Sequence, residues 1–430
     1  MTAAVHELDK TMFDRLAGGL GGAPAVEALR RSQASKHLQL IGYLLERWPG
    51  PARERDAVAD ALDRARRRDL EGFREVIGAP LVGGWAAIAA RAAHRDGLKW
   101  TDAAHLAAIA MVASAATGVD GAAEIPVRDG VAAVPGWGVA TLGDTERALL
   151  TAEGGRLTVS AGGTVVEVSG DEDEPRWLPV RRLTAEAAGR RLAVGLDDVD
   201  PYRHGHHVPP ALRLAAGEVA VWQELFADAW QLLAERRPER AAELAVGLRT
   251  LVPLLDLDDR SARSATIRHA FGVFGLTRPP SPAEFAVTIV HEFQHSKLSA
   301  MLDLAPMSDP DDRGRYFAPW RTDPRPLAGL LQGVYAFVGV VDMWQALRDV
   351  DGLEETATEQ FATSRINVDI GLSSIEDCDA LTPEGRVLVA RLRESTDELL
   401  GVPVPAATAR AAEETTARIR QLWRERNGAA

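Results

Sequence analysis

Apolar side chains recur at helical spacing over the first quarter of the chain. In "AVEALRRSQASKHLQLIGYLLERW", Leu29, Leu38, Ile41 and Leu45 recur at helix-like spacings, which predicts a helix. "GGWAAIAARAAHRDGLKWTDAAHLAAIAMVASAATG" predicts two further Ala-rich helices broken near Gly97. Between roughly 124 and 200 the period changes to short alternating runs punctuated by Gly and Pro. There "TVSAGGTVVEV" reads as a hairpin with Gly162 and Gly163 at its turn. The acidic "GDEDEP" at 170–175 reads as an exposed loop, and helical spacing returns from about residue 210. The pairs Pro209-Pro210 and Pro279-Pro280 mark turns and are too short to be linkers. The expected fold is α+β and predominantly helical, in one unit: a helical part over 1–120, a β-rich insert over 121–200 and a helical part over 201–430 that carries the candidate chemistry.

That chemistry centres on "RPPSPAEFAVTIVHEFQHSKLSAMLDL". Ser281 is placed to cap a helix, Pro282 suits its first turn, and Glu284 completes a capping box. His291 and His295 are four residues apart, about 1.1 turns, so both imidazoles leave one face and reach one metal ion. Phe285, Ile289 and Leu298 are expected to bury the rest of the helix. HExxH is the zincin signature, and the fold expected around it is a zincin-like helix packed on a second helix. The bland alternative is a buried helix with hydrogen-bonded histidines.

A hydrolytic zinc site adds a third His, Glu or Asp and uses the motif's Glu292 as the base for bound water. The metzincin continuation is missing, because Leu298 and Met301 stand where its Gly and His belong. The next apolar helix, "RPLAGLLQGVYAFVGVVDMWQALRD", has no Glu, and its Asp342 is poorly placed. Gly329, Gly333, Ala336 and Val340 form a small-residue stripe on which the histidine helix is expected to pack. Gln332 is the one polar side chain in it. Its amide can ligate the metal directly or through water, or can bond a core backbone group. In "RYFAPWRTDPRPLAG", Asp323 is placed to cap this second helix, with Arg321 and Arg325 flanking it. Two guanidiniums beside a helix N-terminus suit a carboxylate, and Arg–Asp pairs holding a surface loop are the ordinary alternative. The histidines of "YRHGHHV", 202–208, have no rigid metal spacing and read as a solvated or substrate-facing loop.

Composition narrows the partners. A net charge of −13 opposes general affinity for nucleic acid or anionic membrane. The basic strip Arg64, Arg66, Arg67 and Arg68 reads as a solvated helix face. The single cysteine, Cys378, excludes an intramolecular disulfide and a cysteine-ligated iron–sulfur cluster. No basic start followed by an apolar run opens the sequence, and no uninterrupted apolar stretch approaches about 18 residues, so a cytoplasmic location is expected.

With these residues placed, the chain resembles the HExxH-motif proteins of ribosomal peptide natural-product pathways, which occur fused to or beside radical SAM cyclophane-forming enzymes. The resemblance rests on "RRSQASKHL", "LDDVDPYR", "VHEFQHSKLSAMLD" and above all "YFAPWRTDPRPLAGLLQGVYAF". It implies an Fe(II) and α-ketoglutarate-dependent dioxygenase that uses O2 to hydroxylate a β-carbon in a precursor peptide. It further implies iron on His291 and His295, Arg321 or Arg325 on the distal carboxylate of α-ketoglutarate, and a separate radical SAM maturase as partner. Glu292 would then orient a ligand or a bound water. A zinc peptidase, or a non-catalytic peptide-binding partner of a radical SAM enzyme, are the alternatives.

Overall fold

A computed structural model describes residues 6–428 apart from 96, 206–207 and 257–262. His206 and His207 of the 202–208 cluster therefore lie outside the described residues. The fold is α+β and mostly helical. Seven helices come first: α1 (Lys10–Ala17), α2 (Ala23–Glu46), α3 (Ala52–Arg68), α4 (Leu70–Ile77), α5 (Pro80–Arg95), α6 (Trp100–Ala103) and α7 (His105–Ala116). Nine strands follow: β1 (Gly121–Arg128), β2 (Val131–Val134), β3 (Gly138–Thr141), β4 (Arg147–Glu153), β5 (Arg156–Ala161), β6 (Thr164–Val168), β7 (Trp177–Pro179), β8 (Arg181–Ala187) and β9 (Arg190–Leu196). After α8 (Ala216–Arg236) and α9 (Pro238–Gly247) come three short strands, β10 (Thr250–Pro253), β11 (Ser264–Thr266) and β12 (Val273–Leu276). Five helices close the chain: α10 (Pro282–Leu304), α11 (Leu327–Leu347), α12 (Glu354–Ser373), α13 (Pro383–Leu400) and α14 (Ala406–Asn427).

The strands make two sheets. An antiparallel seven-stranded sheet runs β6-β5-β4-β1-β2-β3-β7, and α7 covers one of its faces with Leu106, Ile109 and Met111 against Ile125, Leu150 and Val159. Gly162 and Gly163 turn the β5–β6 hairpin at φ 57° and 83°, the left-handed conformations that a two-residue turn requires. The second sheet runs β11-β12-β10-β9-β8, with β9, β10 and β12 parallel and β8 and β11 antiparallel at its edges.

This second sheet corrects the expected division of the chain. The hairpin β8–β9, read as part of the insert, pairs with strands from a stretch expected to be helical. "TLVP" and "VFGL" are almost wholly buried, so they show no alternation by which a strand could be recognised. Leu183, Leu192 and Val194 of this sheet share a core with Trp222 and Phe226 of α8, Phe285 and Phe293 of α10, and Tyr335 and Val338 of α11. By length and composition α11 would suit a membrane span, yet most of it is buried in this core.

A buried polar knot ties the start of the chain under α10. Lys297, fully buried, donates to Glu243 Oε2 at 2.6 Å and to the Gly19 carbonyl at 3.0 Å. Glu243 Oε1 accepts from the Gly22 amide at 2.7 Å. Tyr335 donates to the Leu16 carbonyl at 2.7 Å. Arg240 bridges Asp342 and the Gly19 carbonyl, which occupies Asp342 in an ion pair.

Candidate metal centre

Helix α10 begins as its sequence directs. The Ser281 hydroxyl accepts from the Glu284 amide at 3.2 Å, and Pro282 opens the first turn, although the reciprocal Glu284 contact of a capping box is not formed. Phe285, Ile289 and Leu298 are buried as expected. The two imidazoles project from one side, and their Nε2 atoms lie 3.2 Å apart. Two nitrogens bound to one ion at about 2.0–2.1 Å, subtending roughly 90–110°, stand about 2.8–3.4 Å apart. The observed separation fits two ligands of a single metal, and it equally fits an Nε2–H···Nε2 hydrogen bond between the two rings.

Second contacts fix how each ring is presented. His295 Nδ1 donates to Gln332 Oε1 at 2.9 Å, and Gln332 Nε2 donates to Ser299 Oγ at 3.3 Å. An amide oxygen only accepts, so the proton sits on Nδ1 and leaves the Nε2 lone pair for a metal. Gln332 thus stands behind His295. The expected alternatives of direct ligation and a core backbone bond both give way to a bond with the back of the ring. His291 is held edge-on by Phe337, with centroids 5.1 Å apart. Burial and the neighbouring His295 push His291 down to about 4, which keeps it in the neutral, ligating form.

Glu292 is 2% exposed, and its Oε1 lies 3.9 Å from His291 Nε2. Both oxygens are engaged by the edge strand β11: Ser264 donates to Oε1 at 2.7 Å and Thr266 to Oε2. Among the described residues no group of three His, Cys, Asp or Glu side chains forms that could hold a metal.

Helix α11 meets α10 along a different line from the one expected. The approach is closest at Gly339, where an added Cβ would lie 2.8 Å from Gln294 Cγ and 3.0 Å from Val290 Cγ1. A Cβ on Gly333 would instead lie 2.6 Å from the Trp320 ring, and one on Gly329 would lie 3.1 Å from the Arg325 guanidinium. Gly333 is about 100° round the axis from Gln332, so that part of the stripe seats the 315–326 segment and leaves α10 to Gln332 and Gly339. Trp320, anchored there, stacks on Phe337 at 4.6 Å between centroids, which links the segment to His291.

Asp323 does not cap α11, which starts after Pro326 with no side-chain cap. It accepts from Arg321 Nε at 2.9 Å and from Arg325 Nη1 at 3.3 Å. A Pro at 324 and another at 326 keep the intervening backbone extended and delay the helix. The two guanidiniums are therefore brought together on a carboxylate of their own segment. Arg325 lies over Gly329, one residue short of a full turn before Gln332, whereas Arg321 is half exposed.

No family model matches the chain, and no curated protein matches it. The site therefore rests on its own geometry. Ser264, Thr266, Ser299, Trp320 and Phe337 were not singled out from the sequence. Ser264 and Thr266 carry no local motif, whereas Phe337, two positions before Gly339 on an apolar helix, reads as ordinary core. A cavity of about 870 Å³ between α3, α7 and β1 shares no residue with the histidine pair.

Proposed function

We propose that the chain is an Fe(II)- and α-ketoglutarate-dependent peptide β-hydroxylase, with a ribosomally made precursor peptide as substrate and a radical SAM maturase as partner. The observation that carries this reading is the pair of Nε2 atoms 3.2 Å apart, one of them locked in its ligating tautomer by Gln332. Two neutral protein ligands leave several positions open, which suits a bidentate keto acid and dioxygen better than a hydrolytic zinc site. Bound iron, keto acid and O2 would supply the oxidation that places a hydroxyl on the peptide's β-carbon, with succinate and CO2 as co-products.

The chain's own residues then have defined tasks. His291 and His295 hold the metal, and Gln332 and Phe337 set the directions of their lone pairs. Arg325, over the first turn of α11, is the better placed of the two arginines for the distal carboxylate of α-ketoglutarate, which would compete with Asp323; Arg321 is the second choice. Glu292, restrained by Ser264 and Thr266, orients a bound water or ligand beside His291. The mixed sheet with antiparallel edge strand β11 beside α10 supports a zincin-like arrangement.

The zinc peptidase keeps one observation in its favour, because Glu292 borders the metal position as a hydrolytic base does. Anaerobic loading with Fe(II), then addition of α-ketoglutarate, peptide and O2, decides between them. The hydroxylase adds one oxygen atom to the peptide and forms succinate; cleavage by the zinc-loaded chain without keto acid would overturn the proposal.

A further inference from the structure

A second cavity, about 480 Å³, lies between the seven-stranded sheet and residues 198–204, which contain most of "LDDVDPYR", with Leu212 and Arg213. Val131, Ala133, Val139 and Leu178 of the sheet give it an apolar floor. Leu212, 79% exposed, stands at its mouth. Three arginines line it, and they differ in one respect. Arg128 is neutralised by Asp102 at 2.6 Å, and Arg213 by Asp198 at 2.5 Å and by Asp173. Arg203 reaches only backbone carbonyls, of Asp200 at 2.6 Å and Ala211 at 3.3 Å, and its Nε is buried with no partner.

His105 lines the same cavity. It is 4% exposed, packed between Trp85 and Tyr202 at centroid distances of 5.4 and 4.5 Å, and makes no hydrogen bond among the described residues. Burial, with Arg128 nearby, pushes it down to about 3, so it is a neutral imidazole with an unused donor and an unused acceptor. A buried guanidinium N–H costs free energy while unpartnered. The ring and the guanidinium both border one hollow of a size that accepts a small ligand. A guanidinium with an unpartnered N–H beside a neutral imidazole over an apolar floor is complementary to a carboxylate attached to an apolar body.

We propose that this cavity is a second binding site, separate from the histidine pair, in which Arg203 and His105 take a carboxylate whose apolar part lies on the sheet. The carboxylate belongs either to a free small acid or to an acidic side chain flanked by apolar residues in a peptide. The test uses the full chain and follows line broadening of four probes by NMR: phenylacetate and its uncharged counterpart phenylacetamide, and the peptide acetyl-Leu-Glu-Leu-amide and its uncharged counterpart acetyl-Leu-Gln-Leu-amide. At least one of the two carboxylates binds, phenylacetate assigning the free acid and the peptide the side-chain source. For the carboxylate that binds, the uncharged counterpart, phenylacetamide or the Gln-containing peptide, binds at least about ten-fold more weakly. Arg203→Gln, His105→Phe and Leu212→Glu each weaken it by about ten-fold or more, and Leu212→Glu, at an exposed position, decides should either buried variant fail to fold. His291→Ala leaves binding unchanged, which keeps this result distinct from the fate of the metal reading. Failure of both carboxylates to bind, equal binding of the uncharged counterpart, or unaltered binding in Leu212→Glu overturns the proposal.

Discussion

The amide oxygen of Gln332 accepts the Nδ1 proton of His295 at 2.9 Å, from behind the ring as seen from the paired nitrogens. A residue in that position controls metal affinity without touching metal. Gln332→Leu is expected to weaken iron binding about 10- to 100-fold while the fold survives. Gln332→Glu, which keeps an acceptor, is expected to retain most of the affinity. Competition against a chelator of known strength measures both, and an unchanged affinity for Gln332→Leu would show that the contact is incidental.

Glu292 separates the two chemistries. Glu292→Gln keeps an oxygen to accept one of the hydroxyl hydrogen bonds, and the other hydroxyl can turn to accept from the new amide nitrogen. Substantial hydroxylase turnover should remain, read as succinate formed per unit of enzyme. A peptidase would lose its base and with it nearly all activity.

Gly339→Ala places a methyl within 3.0 Å of Val290 and closer still to Gln294, the neighbours of the two histidines in sequence. Overpacking of this kind costs about 1–3 kcal/mol. Chemical denaturation should show the lowered midpoint, and iron affinity should fall with it because α10 must shift to accommodate the methyl.

Two buried histidines should make acid destabilising, against an opposite contribution from Asp200, whose carboxyl burial pushes up to about 7. Burial pushes His37 down to about 4 and His105 down to about 3, while both are near 6.5 in the unfolded chain. The unfolded state thus binds more protons in the interval, so the stabilising contribution is complete above about 6.5 and is lost as pH falls towards 4. The loss approaches about 1.4 kcal/mol per pH unit for each histidine. Denaturation midpoints between pH 7.5 and 4.5 measure it, and His37→Asn should flatten the dependence.

The histidine helix was legible because each device acts locally: the Ser281 cap, the four-residue spacing and the buried Phe285, Ile289 and Leu298 all lie within one element. The β5–β6 hairpin was legible for the same reason. Strands β10 and β12 were not, since strands buried on both faces have no period to read, and β11 has only three residues. The partners of Gln332, Glu292 and the two arginines depend on where distant segments dock. Gly333 could not announce that it would receive Trp320, nor Asp323 that two prolines would keep it from the helix it was placed to cap.

The ammonium of Lys297 in the core carries a consequence for how the protein can be divided. Every proposed metal contact lies after residue 280, yet the groups that compensate this charge come from Gly19 and from Glu243, itself held by Gly22. A shortened chain that lacks the opening two dozen residues would retain all the chemistry on paper and leave the platform beneath it unsupported. Trimming from the front should therefore abolish metal uptake long before it reaches the histidines.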